Sequence, residues 1–460
     1  MKGVRLAFYG DDFTGSTDAL EVLSYAGLKS ALFLEPPSLS QLEAYGPLQA
    51  FGIAGNSRSL PTGEMEAELR PAFARFAELG IPLVHYKTCS TFDSAPDIGS
   101  IGRAIDIAQE ELASPWVPLV VGAPPLQRFC VFGHLFARSG LDSDVFRLDR
   151  HPTMAQHPTT PMGESDLRLH LGRQTARPSG LFDLLQFEKD VAQQQSRLEQ
   201  LLAGGDEIVL FDALYPAHLE AIGRLIYQDL PAAKTLFAAG SSGVEYALVA
   251  HWRRQGLLGP PPARPAGEKV AQTIVVSGSC SPVTARQIER AGEAGFVAIG
   301  VDGAALVDPG RRPGKIGALV DRGLAVLQEG KSVLFHTALG PQDPRLEQTT
   351  AAFAGGGLSG EGVKKQVAQV LGTALGEILS QVLQGAPLRR AVVAGGDTSA
   401  YAARQLQLQS LEVVCPLAPG SPLCRVRSQR GSIDGVEIAF KGGQVGRDDF
   451  FVQALNGGAS

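Results

Sequence analysis

The sequence is short of several things, and each shortage excludes a class. Its 460 residues include five cysteines, an odd number, and none forms a CxxC pair. That excludes a disulfide framework and points to a reducing compartment. Basic residues are fewer than acidic ones, 41 against 47, for a formal net charge of -6. Nucleic-acid binders draw affinity from clustered lysine and arginine, so that class is disfavoured, while one basic pocket for a small anion remains compatible with the balance. No apolar run approaches the ~20 residues that span a bilayer, and the first residues read as a short charged strand instead of a signal peptide. The expectation is a cytoplasmic protein with no membrane or nucleic-acid partner, with a homodimer left open. Among eight histidines there is no HExxH, and His151 and His157 share a proline-rich loop, so no resident metal site is expected. Repeats of roughly 20–50 residues are absent, which argues against a solenoid.

What is present is an ordinary globular composition, 44% hydrophobic and 19% charged, on a chain long enough for two or three domains. Short apolar runs alternate with amphipathic stretches. Val4–Tyr9, Ala31–Leu34, Ala50–Ala54, Leu83–Tyr86, Pro118–Val121 and Ile208–Asp212 read as strands. Ala19, Leu20, Leu23 and Ala26 share one helical face, which Gly27 ends. Ile98, Ile101, Ile105 and Leu112 share another, after a Ser94–Pro96 start. The run GLLGPPPARPAGEK at Gly256–Lys269 cannot continue a helix or a central strand and reads as a linker. Beyond it the alternation resumes with Thr273–Val276, Val297–Val301, Ser332–His336, Ala391–Ala394, Leu411–Val414 and Val436–Phe440, plus a long helix near Gly362–Leu383. The expected fold is α/β, two α/β domains with mostly parallel sheets: residues 1–255 and 271–460, joined by 256–270.

In an open α/β sheet, ligands bind beyond the carboxyl ends of the strands. Three polar clusters fall at such ends in the first half. GDDFTGSTDAL at Gly10–Leu20 offers Asp11 and Asp12, which can bind substrate hydroxyls, remove a proton, or cap the following helix. NSRS at 56–59 offers Arg58, whose planar fork suits a carboxylate, and the segment from His85 to Ser94 offers Lys87, Ser90, Thr91 and Asp93. A solvated turn and a helix cap are the competing readings. Cys89 and Cys280 have no adjacent histidine that would make a nucleophile and read as small buried hydrophobes.

The second half carries a different pattern. Ile274–Val276 leads into Ser277-Gly278-Ser279-Cys280-Ser281, Ala391–Ala394 into Gly395-Gly396-Asp397-Thr398-Ser399, and Val436–Phe440 into Lys441-Gly442-Gly443. Glycine lets backbone N–H groups approach an anion at a helix start, as a nucleotide polyphosphate requires. Neither G-x-x-x-x-G-K-[ST] nor G-x-G-x-x-G is matched, so a P-loop or Rossmann assignment fails.

Taken together, GDDFTGSTDAL, NSRS, YKTCSTFDSAPDIGSIG at 86–102, VFGHLF at 131–136, HPTTPMGESDL at 157–167, SGSCSPVT at 277–284 and GGDTS at 395–399 resemble the four-carbon acid sugar kinase family, in order and over nearly the whole chain. The resemblance implies an ATP-dependent kinase that phosphorylates a hydroxyl, expected to be terminal, of a small four-carbon sugar acid such as a 3-oxo-tetronate or 3-oxo-isoapionate. It implies a sugar-acid site in the first domain, a nucleotide site in the second, and a reaction cleft between them. Carried onto this sequence, Asp12 and Lys87 would be catalytic, and Asp11, Asp12, Arg58, Lys87, Ser90, Asp93 and His134 would hold the acid. Ser277, Ser279, Gly395, Gly396, Asp397, Thr398, Gly442 and Gly443 would hold ATP, with Mg²⁺ arriving on the nucleotide. The segment Cys89–Ser94 departs from the Asp-Ser-Thr-Leu-Arg type common in the family and looks like the 3-oxo-tetronate and 3-oxo-isoapionate branches. The competing functional readings are a non-catalytic sensor of nucleotide or sugar acid and an ATP-using ligase or hydrolase.

Overall fold

The computed structural model describes residues 3–138, 144–157, 159–228, 230, 235–354 and 360–458; Pro158 of the HPTTPMGESDL motif lies outside them. The chain divides into two units, Met1–Pro262 and Ala263–Ser460. The proline-rich run between them carries no helix or strand over residues 261–270. On its first side Leu257 and Leu258 donate N–H to the Trp252 carbonyl, and on its second Gly267 and Val270 donate to Gly457 and Leu455.

The first unit contains β1 (Leu6–Gly10), β2 (Ser30–Phe33), β3 (Ala50–Ala54), β4 (Leu83–Lys87), β5 (Val117–Val120), β6 (Arg128–Val131), β7 (His134–Arg138), β8 (Val145–Arg147), β9 (Ser179–Phe182), β10 (Ile208–Phe211) and β11 (Leu236–Gly240). Eight of these form one sheet in the order β2-β3-β1-β4-β11-β5-β10-β9, and every pairing is parallel. Sequences such as LAFYG, VPLV and IVLF are apolar on both faces, which suits parallel strands covered by helices on both sides. Phe73 anchors one covering layer, edge-on to Tyr9 and Tyr86 with centroids 6.2 and 6.4 Å away. The buried His85 and Glu245 side chains, 2.6 Å apart, tie β4 to the helix Gly243–Arg254. β6, β7 and β8 make a small antiparallel sheet.

The second unit contains β12 (Ile274–Ser277), β13 (Val297–Gly300), β14 (Val333–His336), β15 (Arg390–Ala394), β16 (Leu408–Ala418), β17 (Ser421–Ser428) and β18 (Glu437–Lys441). β13-β14-β12-β15-β18 run parallel, and β17 and β16 add antiparallel strands beyond β18. Both units are therefore α/β with mostly parallel sheets.

Two local expectations need correction. The helix expected from Ser94 begins at Ile101, with the Ser100 hydroxyl accepting from Arg103 N–H. The intervening residues are held instead by a Pro61–Ile98 bridge and by Thr62 N–H on the Asp97 carbonyl, so they cannot wind into the helix. Cys280 is exposed, not buried, because it stands in the turn between β12 and its helix. Among the described residues no helix is long and apolar enough to cross a membrane.

Candidate active site

In the first unit the parallel sheet delivers the ends of β1, β3, β4, β5 and β11 to one edge. β1 ends at Gly10, so Asp11 and Asp12 follow at once. Asp12 caps the helix Phe13–Tyr25: its carboxylate accepts from Gly15 N–H at 2.9 Å and from the Thr14 hydroxyl at 2.7 Å. It also accepts from Arg58 Nη2 at 2.7 Å. Capping and ion pairing thus occupy both oxygens. Burial works against the Asp12 charge, but Arg58, Thr14, Lys87 and the Gly15 N–H outweigh it and hold the carboxyl below its usual range.

Asp11 has the opposite fate. It is 1% exposed, one oxygen accepts from Cys89 N–H at 3.3 Å, and the other has no hydrogen-bond partner among the described residues. Burial pushes its pKa up to about 7, against the pull of Arg58 and Lys87. Adjacent carboxylates with pKa values driven apart are a common source of acid–base chemistry.

Lys87 closes β4, 2% exposed, and donates to the Thr88 carbonyl at 3.0 Å. Its ion-pair partner is Asp18, 3.4 Å away on the helix Phe13–Tyr25. Burial opposes the ammonium, yet Asp18, Asp11 and Asp12 raise its pKa. The turn that follows is stitched by Thr88 N–H on the Gly240 carbonyl at 2.6 Å and by the Thr91 hydroxyl on Asp93 at 2.6 Å. Ser90 is half-buried in this turn, and Asp93 is buried. Burial pushes the Cys89 thiol up to about 12, which removes it as a thiolate nucleophile.

The structure thus brings Asp11, Asp12, Arg58, Lys87 and Asp93 to one edge, where their charges interact. His134 stands apart at the start of β7, where Nδ1 lies 2.9 Å from the Ser165 hydroxyl and the backbone bridges to Asp166. It shares no hydrogen bond with Asp11, Arg58 or Lys87 among the described residues. Sequence reasoning missed Asp18 and Arg128. A search for the counter-ion of Lys87 along GDDFTGSTDAL would have found the former. No local signal marks the latter.

In the second unit, β12, β15 and β18 are neighbours, and the three glycine loops leave their carboxyl ends together. Gly278 N–H bonds the Ala394 carbonyl and Gly395 N–H the Lys441 carbonyl, so each loop is fastened to the next. Gly395 has φ +122, open to glycine at no cost. A Cβ on Gly443 would lie 2.7 Å from Ser279 Oγ, so the third loop approaches the first closely. Ser277 Oγ is buried without a partner among the described residues, and Ser279 Oγ accepts from Ser281 N–H. Gly396, Asp397 and Thr398 open the helix Gly396–Gln405, which has no side-chain cap. Uncapped N–H groups, a waiting hydroxyl and a cradle that a Cβ would fill fit a polyphosphate. Lys441 lies beneath, fully buried, with Nζ on Thr284 Oγ1 at 3.2 Å, while the Thr284 hydroxyl donates to the Gly443 carbonyl at 2.8 Å.

A family model described as a sugar-binding N-terminal domain matches residues 6–248, and one described as a nucleotide-binding C-terminal domain matches residues 274–451. The chain belongs to the four-carbon acid sugar kinase family. Its similarity to a 3-oxo-isoapionate kinase of Paraburkholderia graminis is 43% identity over 99% of this chain and 95% of that protein. A 3-oxo-tetronate kinase of Pseudomonas fluorescens is 30% identical over 98% of this chain and 96% of its own length. Among solved structures, a Salmonella typhimurium LT2 protein superposes with TM-score 0.78 at 24% identity, covering 98% of each chain. A Haemophilus influenzae protein of the DUF1537 family superposes with TM-score 0.72 at 24% identity, covering 97% of this chain and 98% of its own. These two share the fold of this chain.

Proposed function

We propose that this chain is an ATP-dependent kinase that phosphorylates a hydroxyl of a small sugar acid of the 3-oxo-isoapionate or 3-oxo-tetronate type. The observation that carries this reading is the 43% identity to a 3-oxo-isoapionate kinase over almost the full length of both chains. Residues 1–255 bind the acid, residues 271–460 bind the nucleotide, and 256–270 link them. A terminal hydroxyl is the favoured acceptor, because a primary alcohol is the least hindered nucleophile.

In this reading Asp11, not Asp12, takes the proton from the attacking hydroxyl. A base works best with a pKa near the working pH and an oxygen free to accept, and Asp11 has both. Asp12 is committed to its cap and to Arg58, so its role is to hold Arg58 and the helix start in place. Lys87 supplies positive charge at the same edge, where charge builds during transfer. Ser90 and Asp93 bind hydroxyls of the acid, and His134, held on Ser165 in the small antiparallel sheet, has no role at this edge. Ser277, Ser279, Gly395, Gly396, Thr398, Gly442 and Gly443 hold the phosphates of ATP through hydroxyls and backbone N–H groups. Mg²⁺ arriving with the nucleotide would supply positive charge to its phosphates. Asp397, the one carboxylate in the three loops, is the side chain assigned to it.

The test is ADP release with Mg·ATP against D- and L-erythronate, D- and L-threonate, their 3-oxo forms and 3-oxo-isoapionate. Turnover on one acid with a phosphorylated product supports the reading. AMP or free phosphate would indicate a ligase or hydrolase, and ligand binding with no turnover on any acid would indicate a sensor.

A further inference from the structure

A sugar acid brings a carboxylate into its site, and a buried carboxylate needs a cation that nothing else has neutralised. Two cations at the edge of the first sheet are already committed: Arg58 to Asp12 at 2.7 Å and Lys87 to Asp18 at 3.4 Å. A third lies at the same edge. After β5, residues Ala123–Arg128 turn back so that Ala123 N–H bonds the Arg128 carbonyl at 2.9 Å, which sets Arg128 beside the end of β5. Its charge interacts with Asp93 of the turn after β4, the same turn in which the Cys89 N–H holds Asp11.

Arg128 has no carboxylate within ion-pair distance among the described residues. Nη1 donates to the Leu126 and Gln127 carbonyls, each at 3.2 Å. Nε is buried without a partner, and no described group accepts from Nη2. The unbonded Nε–Nη2 edge is one of the two sides on which guanidinium offers parallel N–H donors, the geometry that matches both oxygens of a carboxylate. No described group of the turn accepts from that edge, and an unsatisfied buried donor is costly. Burial disfavours the guanidinium charge and lowers its pKa, and an incoming anion would offset that cost.

We propose that Arg128 is the receptor for the substrate carboxylate, gripping it through its Nε–Nη2 edge. The assignment rests on the sugar-acid reading of the first unit. It orients the acid with its carboxylate at the turn before β6 and its hydroxyls toward Asp11, Ser90 and Asp93.

The experiment is calorimetric titration of D-erythronate and of D-erythronamide, its uncharged analogue, into the full chain as wild type, Arg128→Met and Arg128→Lys. Wild type is expected to prefer the acid roughly ten- to a hundredfold, as a charge-assisted pair provides. Arg128→Met should bind the two alike, and Arg128→Lys, with charge but no fork, should fall between. Thermal unfolding and ATP titration on each variant separate a folding defect from a binding one, and the lysine variant decides should the methionine variant fail to fold. Unchanged preference in either variant overturns the proposal, as does a wild type that binds acid and amide equally. Acid-selective binding that vanishes in Arg128→Met, in a wild type that releases no ADP, counts against the kinase reading alone and upholds Arg128.

Discussion

Arg58 bonds Asp12 across 2.7 Å and not its neighbour Asp11, although both carboxylates follow the same strand. One oxygen of Asp11 is thereby left without a partner among the described residues. Adjacent residues in sequence have become chemically unlike groups.

Replacing them should separate their roles. Asp11→Asn is expected to lower kcat by about 10²- to 10⁴-fold, the usual worth of a general base, with a smaller change in KM for the acid. Asp12→Asn should instead lower the thermal midpoint and raise that KM, because it loosens both the helix start and Arg58. Steady-state kinetics and thermal unfolding on the two variants check this. Near-wild-type turnover in Asp11→Asn would remove it as the base.

The pH behaviour of Asp11 follows from burial. With a folded pKa near 7, above the ordinary 3.8, wild-type kcat/KM should rise through about pH 7 as the base ionises. Stability runs the other way. The contribution from the neutral folded carboxyl is complete below about pH 3.8 and is lost as pH climbs through 7. Asp11→Asn should therefore lose less stability than wild type between pH 5 and 8 (an interval of roughly 3 units around that pKa), read by urea midpoints.

Lys441 offers a second titration. Buried with no carboxylate within ion-pair distance among the described residues, its amine is pushed down from 10.5 to about 7 by desolvation. Between those values the unfolded chain carries a proton that the folded chain does not, so this group makes stability rise with pH there. Lys441→Met should be more stable than wild type at pH 7, and the gap should close toward about pH 10.5. A gap that stays constant with pH would show that Lys441 is charged in the fold.

The glycine loops can be tested by volume. A Cβ at Gly443 would meet Ser279 Oγ at 2.7 Å and Ser281 Cβ at 3.2 Å. Gly443→Ala is expected to raise KM for ATP roughly tenfold or more, the effect of about 1–3 kcal/mol of overpacking, and to leave calorimetric binding of the acid unchanged. Equal loss for both ligands would argue for a general folding defect.

Asp18→Asn tests the Lys87 pair. Removing the partner 3.4 Å from a buried ammonium should cost about 1–3 kcal/mol in urea unfolding. An unchanged midpoint would mean that Asp11 and Asp12 suffice for Lys87.

The strands that lead to Asp11, Asn56 and Lys87 were legible because each is a short apolar run that stops at a polar cluster, and a parallel sheet aligns such stops. β11, with sequence LFAAG, was not legible. Alanine and glycine carry little strand signal, and burial between β4 and β5 decides its conformation. β17 escaped for a different reason: its exposed Arg425 and Arg427 interrupt the apolar pattern, while antiparallel pairing with β16 and β18 holds it. The position of Arg128 depends on a turn packed at the end of a strand far from residues 11–93 in sequence, and no local pattern encodes that. Family membership was legible because loop residues at strand ends, unlike core residues, are specific in type as well as in polarity.

The uniform direction of the eight strands in the first sheet has a practical corollary. The turns that feed the amino ends of β4, β5 and β10, near Gly80, Ala113 and Gly205, belong to the opposite rim from Asp11, Asp12, Arg58, Lys87 and Asp93. Those turns are where an epitope, a fluorophore or a short insertion can be placed for tracking the protein while the edge that carries Asp11, Arg58 and Lys87 is left untouched.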